Sequence, residues 1–307
     1  MLWRCLLGIG LGFALMSPAK AQVSAQKIDY NGWIGAYRLT NKLVDLVYVP
    51  QIGRVMRYGY LGEVNLIWEN PEHLGKTTAF TPPPTDWVNY GGDKLWPAPQ
   101  KVWGWPPDPI MDSATQKVTI TADKRLRIEG QISPKHQLSF VRTITLEAQG
   151  TGVTFENTLI NHNKKSAQWA VWQVTQVNAP DRLRMPLYTK GSFKKGYYVF
   201  QGSDPVKEKM QILTDEVQLS RDSMKSAKIG GDSPLGWLTA DKGAIRFEVS
   251  AKRIAGKTYP DDGCSLEIYT NPDPLPYIEL ELLSPLMTIK PGQTLSMTTR
   301  WSLKKVR

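Results

Sequence analysis

Two stretches of this chain carry side chains suited to chemistry on a hydroxyl-rich ring. The first holds Trp87, Asn89-Tyr90-Gly91-Gly92-Asp93-Lys94, Trp96-Pro97-Ala98-Pro99-Gln100 and Trp103-Gly104-Trp105-Pro106-Pro107. Indole faces stack on the weakly apolar C–H faces of sugar rings, and neighbouring Asn, Asp, Lys and Gln satisfy the hydroxyls. Ligand sites in general combine an apolar wall with a few convergent polar groups. Asn89, Asp93 and Trp96 are accordingly candidate binding residues, with Lys94 and Tyr90 as candidate catalytic partners. A structural explanation competes: Trp-Pro pairs pin loops to a sheet, and a Gly-Gly turn serves backbone geometry. Trp103 and Trp105 fit either explanation equally.

The second stretch is Tyr277-Ile278-Glu279-Leu280-Glu281-Leu282-Leu283-Ser284-Pro285. On a strand, side chains repeat every two residues, which puts Glu279 and Glu281 on one face. Two carboxylates sharing a cleft perturb each other and suit acid–base work. Glu281 is the candidate base and Glu279 a candidate binding residue. The same spacing also describes an ordinary solvated or ion-paired strand face.

Other chemistries find no support. His73, His136 and His162 lie far apart in the sequence, without the His-Glu-x-x-His spacing of a zinc site, and there is no Gly-x-Ser-x-Gly elbow or phosphate-cradling loop. His136, at a strand entrance, and His162, in the turn Asn161-His162-Asn163, are expected to be surface or satisfied histidines. No metal and no cofactor is expected.

Strands must position these residues. Period-two alternation runs through Leu43–Val49, Ile52–Tyr58, Val118–Ala122, Leu126–Ile132, Leu138–Leu146, Val153–Ile160 and Trp169–Val177. It resumes in Ala244–Ala251, Leu266–Thr270, Tyr277–Leu283 and Thr294–Leu303. Gly-containing turns such as Asp241-Lys242-Gly243 and Lys290-Pro291-Gly292 separate the segments. The pattern predicts an all-β sandwich or barrel. Between Glu69 and Asp112 alternation fades, and nine of the 22 prolines gather there with four tryptophans. A loop that long in a compact domain is functional or disordered, and its aromatic content favours order. It is expected to pack over the end or face of the sandwich.

Residues 1–21 resemble a cleavable signal peptide: Arg4, an apolar run from Cys5 to Met16, then Ala19-Lys20-Ala21. The run is short of the about 20 residues that span a bilayer, so no integral membrane segment is expected after cleavage. Residues 22–307 then form one domain, periplasmic or secreted. Cys264 alone remains and is expected to be a buried small hydrophobe. The formal charge of +10 is scattered in small lysine groups rather than gathered on one face, and export argues further against nucleic acid.

From about Val44 to Leu303 the chain resembles an uncharacterised family within the galactose-mutarotase-like superfamily. The resemblance rests on Pro50-Gln51-Ile52-Gly53-Arg54-Val55, the Tyr90–Gln100 motif, and Trp169-x-x-Trp172-Gln173-x-Thr175-Gln176. Tyr277-x-Glu279-x-Glu281-x-x-Ser284-Pro285, Lys290-Pro291-Gly292-Gln293 and Arg300-Trp301 complete it. It implies a supersandwich of broad antiparallel sheets with a ligand cleft on a concave face, and adds Trp172 and Gln173 to the binding candidates. Mutarotases of that superfamily carry a His-Gly-Gly segment, a second histidine on a central strand and a late-strand glutamate. Here Tyr90 precedes the glycines, Trp172 and Gln173 stand where the second histidine is expected, and Glu281 matches the glutamate.

Three functions follow, in this order. The first is an exported carbohydrate-binding protein without catalysis. The second is an aldose-epimerase-like isomerase with Glu281 as base and Lys94 or Tyr90 as partner. The third is an envelope protein-interaction module.

Overall fold

The computed structural model describes residues 22–79 and 86–306; residues 1–21, expected from sequence to be a signal peptide, lie outside them. The alternating segments form strands, and every strand pairing among the described residues is antiparallel. Among the described residues one sheet has ten strands, in spatial order Met210–Ile212, Glu216–Leu219, Arg182–Pro186, Trp237–Lys242, Ile245–Ala251, Thr294–Lys305, Val153–Asn161, Leu138–Leu146, Leu126–Glu129 and Lys117–Ile120. The other has eleven. Its path begins Ser24–Tyr30, Trp33–Thr40, Val44–Val49 and Arg54–Tyr60, then continues Asp93–Ala98, Ala167–Asn178, Tyr277–Leu283, Leu266–Thr270, Ala227–Gly231 and Tyr198–Val199. Met287–Ile289 pairs beside Ala167–Asn178. The expected all-β sandwich is what forms.

The inner faces meet in one apolar cluster that draws Leu39, Val55, Leu95 and Leu280 from the larger sheet and Ile144, Phe155, Phe247 and Trp301 from the smaller. Cys264 is fully buried, as a small hydrophobe should be.

The proline- and tryptophan-rich stretch is more than a covering loop, because Asp93–Ala98 enters the larger sheet as a central strand. All six of its residues are buried, so no exposed face generates the alternation that marks a strand in sequence. The flanking backbone crosses the outer face of that sheet. Trp33 Nε1 donates to the Lys76 carbonyl at 2.8 Å, and the Gly92 N–H to the Trp68 carbonyl at 2.8 Å. Gly91 and Gly92 adopt φ of +88° and +78°, and a Cβ on Gly91 would sit 2.2 Å from the Trp68 oxygen. Close backbone approach therefore requires this glycine pair.

Candidate functional site

Register decides which side chains share the outer face. Across the larger sheet Trp96 pairs with Trp172, Lys94 with Val174, Gln176 with Glu279 and Glu281 with Glu267. Tyr269 pairs with both Glu279 and Lys228. Adjacent residues on a strand point to opposite sides, so Asp93 and Gln173 cannot join Lys94 and Trp172.

Asp93 and Gln173, expected from sequence to meet ligand, instead point between the sheets. Arg142 of the smaller sheet pairs with Asp93 at 2.6 Å, while Gln173 Nε2 and Thr175 Oγ1 each donate to Asp93 Oδ1 at 2.7 Å. Asn157 Nδ2 and Thr299 Oγ1 donate to the side-chain oxygen Gln173 Oε1. The charge of Arg142 is answered by a carboxylate that is itself hydrogen-bonded, the condition under which an ion pair tolerates burial.

On the outer face a cleft of about 310 Å³ opens, walled by Trp87, Trp96, Trp105 and Trp172. Glu279, Glu281, Lys228, Tyr269 and Tyr277 present its polar groups, and Gln100 lines it as well. The aromatic stretch and the late acidic strand thus meet at one hollow. Indole edges meet indole faces: Trp96 and Trp172 have centroids 5.3 Å apart and Trp87 and Trp105 5.2 Å, both near perpendicular. Trp103 does not line the cleft; its indole N–H donates to the Pro97 carbonyl at 2.7 Å and pins the loop. Trp105 does line it and is 58% exposed.

Two lysines and three glutamates stand beneath the indoles. Lys94 Nζ lies 3.5 Å from Glu279 Oε1 and 4.6 Å from the Trp96 ring centroid. Burial pushes its ammonium pKa down, against the pull of Glu279. Burial likewise raises the Glu279 carboxyl, with Lys94 opposing. Both shifts favour the neutral pair. Lys228 Nζ contacts Glu267 Oε2 at 2.6 Å and Glu281 Oε2 at 3.0 Å, and Trp172 Nε1 donates to the same Glu281 oxygen at 2.8 Å. Burial works against the Lys228 charge, but the two glutamates outweigh it and its pKa rises. Glu267 is pushed well above the ordinary carboxylate range by burial, with Lys228 opposing. Among the described residues, Lys94 Nζ, Gln176 Oε1 and Glu281 Oε1 are buried without a hydrogen-bond partner.

Glu267 carries a stability consequence whose sign is fixed. In the unfolded chain it ionises near 4.5, whereas the fold keeps its proton to higher pH. Between those values the native state binds the extra proton, so stability falls as pH rises through that window. Lys228 is protonated in both states there and adds no slope. Glu267→Gln is expected to flatten the decline in melting temperature between pH 5 and pH 8; equal declines in both proteins would contradict the assignment.

Tyr90, a candidate proton carrier in the sequence, does not line the cleft. Its hydroxyl lies 2.6 Å from Thr78 Oγ1 and its ring joins a second apolar cluster with Trp33, Val49 and Met56. Burial raises its pKa, the wrong direction for a proton donor near neutrality. Asn89 sits behind the cleft, its Oδ1 accepting the Gly91 N–H at 3.2 Å. The histidines stand elsewhere: His73 against Tyr90, His136 against Trp169 and His162 2.8 Å from Ser139 Oγ.

Lys228, Glu267 and Tyr269 were not among the candidates. Glu267-x-Tyr269 has the same spacing as Glu279-x-Glu281, and three acids on adjoining strands need a cation. That need was a usable signal for Glu267, but Ala227-Lys228-Ile229-Gly230-Gly231 gives Lys228 no signal of its own.

An antiparallel supersandwich bearing an aromatic and acidic cleft on one sheet is a galactose-mutarotase-like fold. Residues 34–304 match the model of a domain family of unknown function, DUF4380, and the chain belongs to that family. The fold is shared with a galactose mutarotase-like protein from Lactobacillus casei (TM-score 0.59, 11% identity, 88% of this chain and 100% of the other). It is shared also with a galactose mutarotase-like protein from Clostridium acetobutylicum (0.55, 10%, 93% and 99%). A galactose mutarotase related enzyme from Lactobacillus acidophilus is similar to the same degree (0.54, 10%, 89% and 99%). No curated protein matches the sequence.

Proposed function

We propose that the protein binds a carbohydrate in the tryptophan-walled cleft. The observation that carries this reading is the convergence of four indoles with Glu279, Glu281 and Lys228 around one 310 Å³ space. Stacking surfaces and charged hydrogen-bonding groups are the two things a sugar ring requires. Trp96 and Trp172 are buried and Trp87 is half-buried, which fits a cleft ligand better than a flat protein-docking patch.

Intrinsic tryptophan fluorescence, titrated with a panel of mono- and oligosaccharides, tests the proposal directly. Trp105 makes the cleanest probe because it is exposed and its indole N–H makes no hydrogen bond among the described residues. Trp105→Ala is expected to weaken binding about tenfold, the loss of about 1.4 kcal/mol of aromatic contact. Folding stability should fall by no more than about 1.5 kcal/mol, the worth of the edge-to-face pair that Trp105 makes with Trp87. Flat titrations across the whole panel would sink the reading.

A second reading, sugar isomerisation by proton transfer, draws on one specific feature. Glu281 and Glu279 face the same cleft in different surroundings, one hydrogen-bonded by Trp172 and Lys228, the other raised in pKa beside Lys94. Carboxyls in unlike environments are how one site holds both an acid and a base.

A further inference from the structure

Gln100 marks one end of the cleft's lining, and a second space lies beside it in the chain. Its chain neighbours Pro99 and Lys101 line a second groove of about 520 Å³, together with Tyr259, Asp261 and Arg253. A further hollow of about 310 Å³ continues it, sharing Ser192 and Arg253 and adding Tyr188, Lys190 and Asp232. The two ends are electrostatically close as well, since the charge of Asp261 bears on both Lys228 and Glu267 of the cleft.

Asp232 distinguishes this run from an ordinary surface furrow. It is only 3% exposed; its Oδ2 accepts the Ser192 N–H at 2.5 Å, and its Oδ1 has no hydrogen-bond partner among the described residues. A buried carboxylate oxygen left unpaired is costly, and a ligand hydroxyl reaching it would relieve that cost. Gly191 approaches the carboxylate so closely that a Cβ there would lie 2.3 Å from its oxygens. Arg253 stands beside it, one Nη1 donating to the Gly263 carbonyl at 3.1 Å and the guanidinium stacked 4.2 Å over Tyr259. Arg253 has no carboxylate partner within ion-pair distance among the described residues, so donors remain for a ligand oxygen.

We propose that the ligand is an oligosaccharide of at least two units, one in the tryptophan cleft and the next along the groove toward Asp232 and Arg253. The distal unit offers a hydroxyl proton to Asp232 and a hydroxyl or carboxylate oxygen to Arg253, with Tyr188 as a flat surface beside them. This rests on the carbohydrate reading of the cleft and adds chain length to it. The first space holds the stacking indoles, and the second groove adds room and polar groups that a monosaccharide stacked there does not use.

The test uses the full-length protein and matched gluco-, galacto-, manno- and galacturono-oligosaccharides of one to four units, followed by tryptophan fluorescence. In the series that binds, affinity is expected to rise at least tenfold from one unit to two or three. Asp232→Ala and, separately, Arg253→Ala should each remove most of that gain and leave the one-unit Kd within about twofold. The Arg253 variant lies on an open loop and guards against misfolding of the Asp232 variant, whose melting temperature is measured alongside. Monosaccharide binding with no gain on lengthening, or a gain that survives both substitutions, overturns the inference and leaves the carbohydrate reading standing. Silence toward every series, single units included, removes both.

Discussion

Asp112→Ala is expected to cost about 3–5 kcal/mol of stability and to dismantle one wall of the cleft, because one carboxylate satisfies three side chains. Arg54 Nη2 reaches both of its oxygens, at 2.9 and 2.8 Å, while Trp96 Nε1 donates to Oδ1 at 2.8 Å and Trp87 Nε1 to Oδ2 at 3.2 Å. The Arg54 and Asp112 side chains are 0% and 2% exposed. Removing the acid strands a buried guanidinium whose remaining hydrogen bond is the one Nη1 donates to the Gly91 carbonyl, and it frees two indole N–H groups. Such a loss is a large share of the about 5–15 kcal/mol that holds a domain folded. Urea denaturation should show the midpoint falling steeply. Replacing both partners by apolar residues, Arg54→Met with Asp112→Leu, should cost less than the single change, since no charge is then left unpaired. A single-variant loss below about 1 kcal/mol would show that Asp112 is not the anchor of the two tryptophans.

That anchor explains why a stretch so poor in alternation is nonetheless ordered. Asp112 lies at the far end of the proline-rich segment, on the five-residue helix Pro109–Ser113, and ties it back to Arg54 on the neighbouring strand. In the sequence Arg54 is one residue of a Gly53-Arg54-Val55 segment, and nothing near Asp112 marks its partner. Long-range pairing of this kind leaves no local trace. By contrast Leu138–Leu146, Leu266–Thr270 and Tyr277–Leu283 were legible to the residue, because apolar side chains recur at the spacing a sheet requires. Asp93–Ala98 and Ala227–Gly231 were not, one being polar toward both buried faces and the other ending in two glycines.

The same period-two rule separates what was right in the site from what was not. A motif read as a block makes Asp93 and Lys94, or Trp172 and Gln173, look like a single binding surface. A strand sends one of each pair outward and the other into the sandwich. Only the parity fixed by pairing with Glu279 and Glu281 tells which, and that parity is a property of two strands together. Glu279, Glu281, Trp96 and Trp172 fall on the cleft side, with Lys94 beneath, while Asp93 and Gln173 do structural work with Arg142.

Glu281→Gln separates binding from turnover. The amide oxygen of glutamine still accepts from the Trp172 indole and from Lys228, so the cleft keeps its shape and sugar affinity should change by less than about tenfold. What the amide lacks is a site that takes and returns a proton, a contribution of about 10²–10⁴-fold where a positioned side chain performs the transfer. If the protein interconverts anomers of any sugar, polarimetry or saturation-transfer NMR should show that rate falling by this factor in the variant. Among the described residues no histidine lines the cleft, and burial pushes the Tyr269 and Tyr277 hydroxyls up in pKa, away from neutral proton transfer, so the carboxyls and lysines are the better placed proton carriers. Glu279, which unlike Glu267 lines the cleft, has its pKa raised by burial and holds a proton above the ordinary carboxylate range, so the wild-type rate should fall as pH climbs through its ionisation. An unchanged rate in Glu281→Gln excludes Glu281 as the base. Sugar binding by both proteins with no interconversion by either makes the cleft a receptor, its acids then serving as hydrogen-bond acceptors for hydroxyls stacked between the indoles.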